Sequence, residues 1–127
     1  MSSVEIGTFA VSAAAAEVAA FRKAARLDES DALPFTWPIR WMARSDIRAA
    51  LTALVPEPDI VPFHESQTFD YAAPLRAGAT YALAVTARRE SAPDRLVAEG
   101  VLSADGARVA TIETVLRLFS TTGAQDA

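Results

Sequence analysis

The chain has 127 residues, 51% hydrophobic and 22% charged, a composition that fits one folded domain and excludes a disordered polar chain. A net charge of -4 and the absence of cysteine exclude a generally basic nucleic-acid-binding face, a disulfide framework, thiolate catalysis and cysteine-ligated zinc. His64 is the one histidine, so a metal site would need mostly carboxylates, and none is expected. No apolar run approaches the roughly 20 residues that cross a bilayer, and the N-terminus lacks a basic secretory start. The expectation is a cytoplasmic chain that meets neither membrane nor nucleic acid.

In chain order, Glu5 to Val11 reads as a short strand. Ser12 is the expected N-cap of a helix through Leu27, on which Val18, Phe21 and Ala25 recur at helical spacing. Arg22, Lys23 and Arg26 fall toward its C-terminal end, where cations suit the helix dipole. Asp28 to Asp31 is an acidic turn, and Leu33-Pro34-Phe35-Thr36-Trp37-Pro38 carries two prolines that prevent ordinary helix continuation. Pro38 suits a first helical position. Beyond it Ile39, Met42, Ile47, Leu51 and Leu54 share one side of a second, largely buried helix that ends before Pro56. Ser45-Asp46 is an alternative start, which would make the stretch a short turn followed by a helix.

After Pro56, Pro58 and Pro62 the period becomes alternating. Phe63, Gln67, Phe69 and Tyr71 fall on one parity, and His64, Ser66, Thr68 and Asp70 on the other. Pro74 to Gly78 makes a turn, Tyr81, Leu83 and Val85 belong to a strand that runs to Arg88-Arg89, and Glu90 to Asp94 turns again. Leu96 to Ser103 is the next strand. Asp105-Gly106 is a favoured hairpin pair, Arg108 to Phe119 is a long last strand, and Ser120 to Ala127 reads as a loose tail. The order gives a single α+β domain over residues 4–119, with flexible tails at 1–3 and 120–127.

Phe63-His64-Glu65-Ser66-Gln67-Thr68-Phe69-Asp70-Tyr71, followed by Pro74-Leu75-Arg76-Ala77-Gly78, resembles the strand and turn of the MaoC-like hot-dog dehydratases, especially their N-terminal dehydratase-like domains. The resemblance extends from about Val4 to Phe119. It implies a hot-dog fold, a curved antiparallel sheet wrapped around a central helix, and a homodimer or a heterodimer with a catalytic hot-dog subunit. It also implies an acyl-CoA or acyl carrier protein thioester as ligand, with coenzyme A or phosphopantetheine as part of the substrate and no separate cofactor. Active members hydrate an enoyl thioester or dehydrate the 3-hydroxyacyl form with a D-x-N-P-x-H motif. Here Asp28 falls near the expected Asp, but Ser30 stands where Asn would be and Leu33-Pro34 where His would be. The turn also continues from Gly78 to Ala79 where the family usually has an acidic residue. The implied function is acyl-thioester binding by a non-catalytic or partner-dependent subunit. The alternative is an active dehydratase, hydratase or thioesterase that uses a carboxylate such as Asp28, Asp31 or Asp46.

Asp28 and Asp31 are thus candidate catalytic carboxylates, or else ordinary solvated loop residues. Phe35, Trp37, Trp41 and Met42 are candidate walls of an acyl tunnel, or else core. Arg40, Arg44 and Arg48 recur every four residues and would form a basic stripe for phosphates or an acidic carrier helix, if the helix were continuous from Pro38. The other reading of that stripe is a solvated or salt-bridged face. His64 is a candidate ligand-binding residue or a sheet histidine with a fixed hydrogen bond.

Overall fold

The computed structural model describes residues 3–121. The elements are β1 (Val4–Ser12), α1 (Ala15–Ala24), α2 (Pro38–Met42), α3 (Ser45–Thr52), β2 (Ile60–Tyr71), β3 (Thr80–Glu90), β4 (Arg95–Ala104) and β5 (Ala107–Ser120). The strands form one antiparallel sheet in the order β1-β3-β4-β5-β2. Helices cover one face of it, which is the hot-dog arrangement.

Side chains in one lateral row of a sheet share a face, so the register identifies what the helices cover. Leu83, Leu102, Ala110 and Tyr71 make one covered row, and Val85, Gly100, Ile112 and Phe69 the next. Leu83, Leu102, Ala110 and Ile112 are almost completely buried, as is Ile47 of α3. Gly100 makes the closest approach possible: a β-carbon there would lie 2.9 Å from Leu83 Cδ1 and 3.0 Å from Met42 Sδ. Met42, at the end of α2, therefore rests directly on the centre of the sheet.

Several expectations are corrected. Ser12 is not the N-cap of α1; it closes β1 opposite Thr80, and Ala14 takes the cap position without a side-chain hydrogen bond. The helix stops at Ala24 instead of Leu27, because Arg26 adopts a left-handed φ of 59°. Its N–H then bonds to Lys23 O, and that of Leu27 to Arg22 O at 2.8 Å, the paired bonds of a Schellman ending. The second helix is two helices. Arg44 is extended (φ -58°, ψ 146°) and caps α3 with its carbonyl, which accepts Arg48 N–H at 2.8 Å, so the alternative start at Ser45 is the one observed. Arg40, Arg44 and Arg48 consequently do not form one stripe.

Ser120 is the last residue of β5 and pairs with Ile60, while Thr121 N–H donates to Asp59 O at 2.8 Å. The expected loose tail therefore does not begin at Ser120. The rest of the tail expectation, at 1–2 and 122–127, lies outside the described residues. Asp105 and Gly106 have φ of 51° and 79°, the two positive values that a two-residue hairpin between β4 and β5 needs.

Candidate functional site

Among the described residues strand β2 is an edge strand, paired only with β5. Its register shifts between His64 and Ser66, with Glu65 as the extra residue. A bulge reverses the alternation that follows it. His64, opposite Leu116, therefore shares the helix-covered face with Gln67, Phe69 and Tyr71, while Phe63, opposite Arg117, lies on the outer face. Unbroken alternation had put Phe63 with Gln67 and His64 on the other side; the bulge overturns that.

On the covered face, α3 and β2 leave a groove of about 420 Å³ between them. Its walls are Leu51 and Val55 on the helix side, Ile60 and Pro62 on the edge strand, and Leu96 and Leu116 on the sheet floor. The polar groups that reach it are Arg48, Thr52 and His64, with no carboxylate among them. Arg48 has no ion pair or hydrogen bond from its side chain among the described residues.

The hydrogen bonds of Gln67 determine the tautomer of His64. Gln67 donates through Nε2 to the carbonyl of Glu113 at 3.1 Å. A carbonyl can only accept, so the other amide atom is Oε1. That oxygen accepts the Thr114 hydroxyl at 2.9 Å and lies 3.1 Å from His64 Nε2. His64 must therefore carry its hydrogen on Nε2, which leaves Nδ1 of the neutral ring as an acceptor.

At the far end of the same strand edge a second groove, of about 360 Å³, lies between Leu33, Phe35, Tyr71 and the 72–75 turn. Phe35 is 64% exposed, and its ring lies 4.9 Å from Tyr71 and 5.5 Å from Phe69, centroid to centroid. The Tyr71 hydroxyl donates to the carbonyl of Phe35. Burial pushes the Tyr71 phenol up to about 12, so it stays a neutral donor at any physiological pH. Pro62, His64, Gln67, Phe69 and Tyr71 follow one another on the covered face of β2 between the two grooves.

The remaining candidates are placed elsewhere. Trp37, Trp41 and Met42 are buried in the core (4%, 5% and 7% exposed) and line neither groove. Trp37 is covered by Phe21 edge-on and by the Arg40 guanidinium 3.9 Å from a ring centroid, and Trp41 Nε1 donates to Ser12 O. Their packing places both in the core: Trp41 has a hydrogen-bond partner for its indole N–H, and the Trp37 ring is covered by Phe21 and Arg40. Arg40 is engaged with the Trp37 ring and with Glu17 at 3.9 Å. Arg44 is held by Asp46 at 2.9 Å and donates to Ala10 O. Asp46 in turn accepts Ile47 N–H. Asp28 is exposed and offers its backbone carbonyl to Arg22. Asp31 is clamped by both carboxylate oxygens to Arg76 at 2.9 and 3.0 Å, and its carbonyl accepts Ala77 N–H. Of the sequence candidates, His64 and Arg48 line the α3–β2 groove and Phe35 lines the second. Gln67, Thr114, Leu51, Val55 and Leu116 had not been singled out; the His-x-x-Gln spacing was visible, but the bulge that brings the two side chains together was not. Among the described residues no cluster of three His, Asp or Glu side chains is placed to hold a metal ion, and no helix is long and apolar enough to cross a membrane.

No protein-family model matches the chain, and no curated protein matches it in sequence. Solved structures match in fold. A chain of the HadBC (3R-hydroxyacyl-ACP dehydratase) complex from Mycobacterium tuberculosis superposes with a TM-score of 0.68 at 14% identity, covering 92% of this chain and 96% of that one. A thioesterase superfamily member from Thermus thermophilus gives 0.64 at 13% identity over 99% and 88% of the two chains. A gentisyl-coenzyme A thioesterase gives 0.62 at 13% identity over 87% and 88%. At these identities the likeness establishes the hot-dog fold.

Proposed function

We propose that this chain binds acyl thioesters and works as one subunit of a paired hot-dog assembly, in which it supplies the wall of the acyl site and a catalytic partner supplies the acid-base groups. The observation that carries the reading is the α3–β2 groove: apolar walls, no carboxylate, and an opening along an unpaired strand edge. An acyl chain is the ligand such walls suit. The strand rise of about 3.3 Å per residue puts roughly 20 Å between His64 and Tyr71. A pantetheine arm therefore has a path along Gln67 and Phe69 toward the second groove, with the acyl chain under α3.

The pairing rests on β2. Unpaired edges invite strand addition unless blunted. Pro62 and the bulge interrupt the first half of this one, leaving Ser66–Tyr71 as its regular stretch. On the outer face beside it Val61, Phe63 and Phe119 are exposed, an apolar cluster suited to an interface. That dehydratase and thioesterase chains share the fold supports the reading.

A second reading, turnover by the chain alone, is favoured by the acceptor Nδ1 of His64, which could take a proton from water or a hydroxyl. The test is the purified protein with enoyl-, 3-hydroxyacyl- and saturated acyl-CoA, followed by calorimetry, product analysis and native mass spectrometry. The proposal expects binding without turnover, a dimer, and loss of the dimer in Phe63→Asp. Turnover abolished in His64→Gln would favour the second reading. An absence of binding by the chain, alone or with a catalytic hot-dog subunit, would overturn both.

A further inference from the structure

Among the described residues, seven of the chain's twelve lysine and arginine side chains pair with a carboxylate: Arg40, Arg44, Arg76, Arg88, Arg89, Arg95 and Arg117. Of the other five, three lie together at the C-terminal end of α1. Arg22, Lys23 and Arg26 surround an open hollow of about 880 Å³, with Glu29 and Ser30 on its rim. In a chain of net charge -4, this is a local concentration of positive charge. The helix dipole accounts for cations here, since a helix C-terminus carries roughly half a negative charge. Arg26 lies two residues beyond the last helical residue, Ala24.

Arg26 is the C′ residue of the Schellman ending, at φ 59°. Glycine is the residue that fits this conformation without steric conflict, and any other L-residue is strained there. The helix ending thus places the Arg26 cation at the hollow in a conformation that glycine would fit better.

The hollow is tied through one loop to the proposed thioester path. Arg22 donates through Nε and Nη2 to Ala32 O at 3.2 and 2.8 Å, and through Nη1 to Asp28 O at 3.1 Å. The loop it grips continues into Leu33 and Phe35, which line the second groove. One stretch of chain thus runs from the rim of the hollow at Glu29 and Ser30 to the lining of the groove at Leu33 and Phe35.

We infer that the Arg22, Lys23 and Arg26 hollow is a phosphate-binding subsite, which takes the phosphorylated nucleotide end of a coenzyme A thioester whose arm enters past Phe35. This rests on the thioester reading and sharpens it, since it assigns the carrier as coenzyme A and not as an acidic carrier protein. The guanidinium of Arg26 and the ammonium of Lys23 meet phosphate oxygens. Arg22 holds the loop and adds charge, and the summed charge, less Glu29 and the helix end, stays positive.

The test compares one acyl group on three carriers, CoA, dephospho-CoA and pantetheine, by calorimetry at low salt, with adenosine 3′,5′-bisphosphate as a probe independent of the acyl groove. Affinity is expected to fall in that order, by about tenfold or more from CoA to pantetheine, the size of lost charge-assisted hydrogen bonds. Lys23→Glu and Arg26→Glu should weaken acyl-CoA and the bisphosphate and leave acyl-pantetheine unchanged. Arg26→Gly is the decisive variant: it should raise the melting temperature by relieving the strained backbone and yet weaken acyl-CoA binding. Equal affinity for acyl-CoA and acyl-pantetheine, or unchanged acyl-CoA binding in Arg26→Gly, would overturn the inference while leaving the thioester reading intact. Binding of an acyl carrier protein that Lys23→Glu abolishes, with no phosphate dependence among the CoA series, would also overturn it. Bisphosphate binding sensitive to Lys23→Glu, with no thioester bound at all, would uphold the phosphate site and sink the thioester reading.

Discussion

Single residues here do work that their neighbours cannot take over. The Tyr71 phenol bonds the Phe35 carbonyl and so ties the 33–37 loop to the end of β2. Its ionisation is pushed up to about 12 by burial, which makes the neutral form the folded form. The sign follows: the contribution is complete below the ordinary value of 10 and is lost as pH rises through about 12. An ultraviolet titration should therefore show tyrosinate absorbance near pH 12 that Tyr71→Phe removes; an unchanged curve in the variant would contradict the placement. Gly100 is a second such residue. In Gly100→Ala the new methyl meets Leu83 and Met42 at 2.9 and 3.0 Å. Both neighbours can yield at the tips of their side chains, so we expect a loss of about 1–2 kcal/mol in urea unfolding. A variant as stable as the parent would show that Met42 does not rest on the sheet.

At the scale of elements, the sequence patterns were informative wherever the period ran unbroken. Strands β3, β4 and β5 and the Asp105-Gly106 hairpin could be read closely because alternation and turn chemistry agree there. Helix ends and the β2 bulge could not. Ser12 looked like a cap, but it closes β1 instead; the break at Ala43-Arg44 has no proline or glycine to announce it, and it was legible only as the alternative start at Ser45-Asp46, which is the one observed. The extra residue of the bulge, Glu65, pairs with Arg95 at 3.0 Å and Arg117 at 3.6 Å on the outer face, a long-range arrangement with no local signature. Hydrogen bonding by Arg95 first, then the charges of Arg95 and Arg117, hold the Glu65 carboxyl below its ordinary 4.5. Glu57 is lowered likewise, chiefly by its hydrogen bond with Arg89. A lowered carboxyl contributes stability that is complete above 4.5 and is lost as pH falls through the depressed folded value. Urea midpoints measured from neutral pH down to about pH 3 should fall on the acid side, and Glu65→Gln should flatten that fall. An equally steep fall in the variant would mean that the pairs with Arg95 and Arg117 do not form in solution.

For the whole molecule, fold and site were legible to different degrees. The hot-dog arrangement followed from element order and the motif around Phe63 to Gly78, and the sheet order and structural matches agree with it. The candidate grooves did not follow, because each is built from side chains far apart in sequence: Leu51 and Leu116 meet His64 only through the register of β2 on β5. Trp37 and Trp41, beside a proline-rich loop, could be read as tunnel wall or as core, and they are buried in the core. The central claim, that the α3–β2 groove holds an acyl chain, is tested most directly by the affinity of saturated acyl-CoA against chain length. Each methylene taken into an apolar groove contributes about 0.8 kcal/mol, or about fourfold in affinity. The account predicts a steep rise that levels off once the groove is full, and a flat series in Leu116→Asp. A series flat in the native protein, or a rise that Leu116→Asp leaves unchanged, would contradict it.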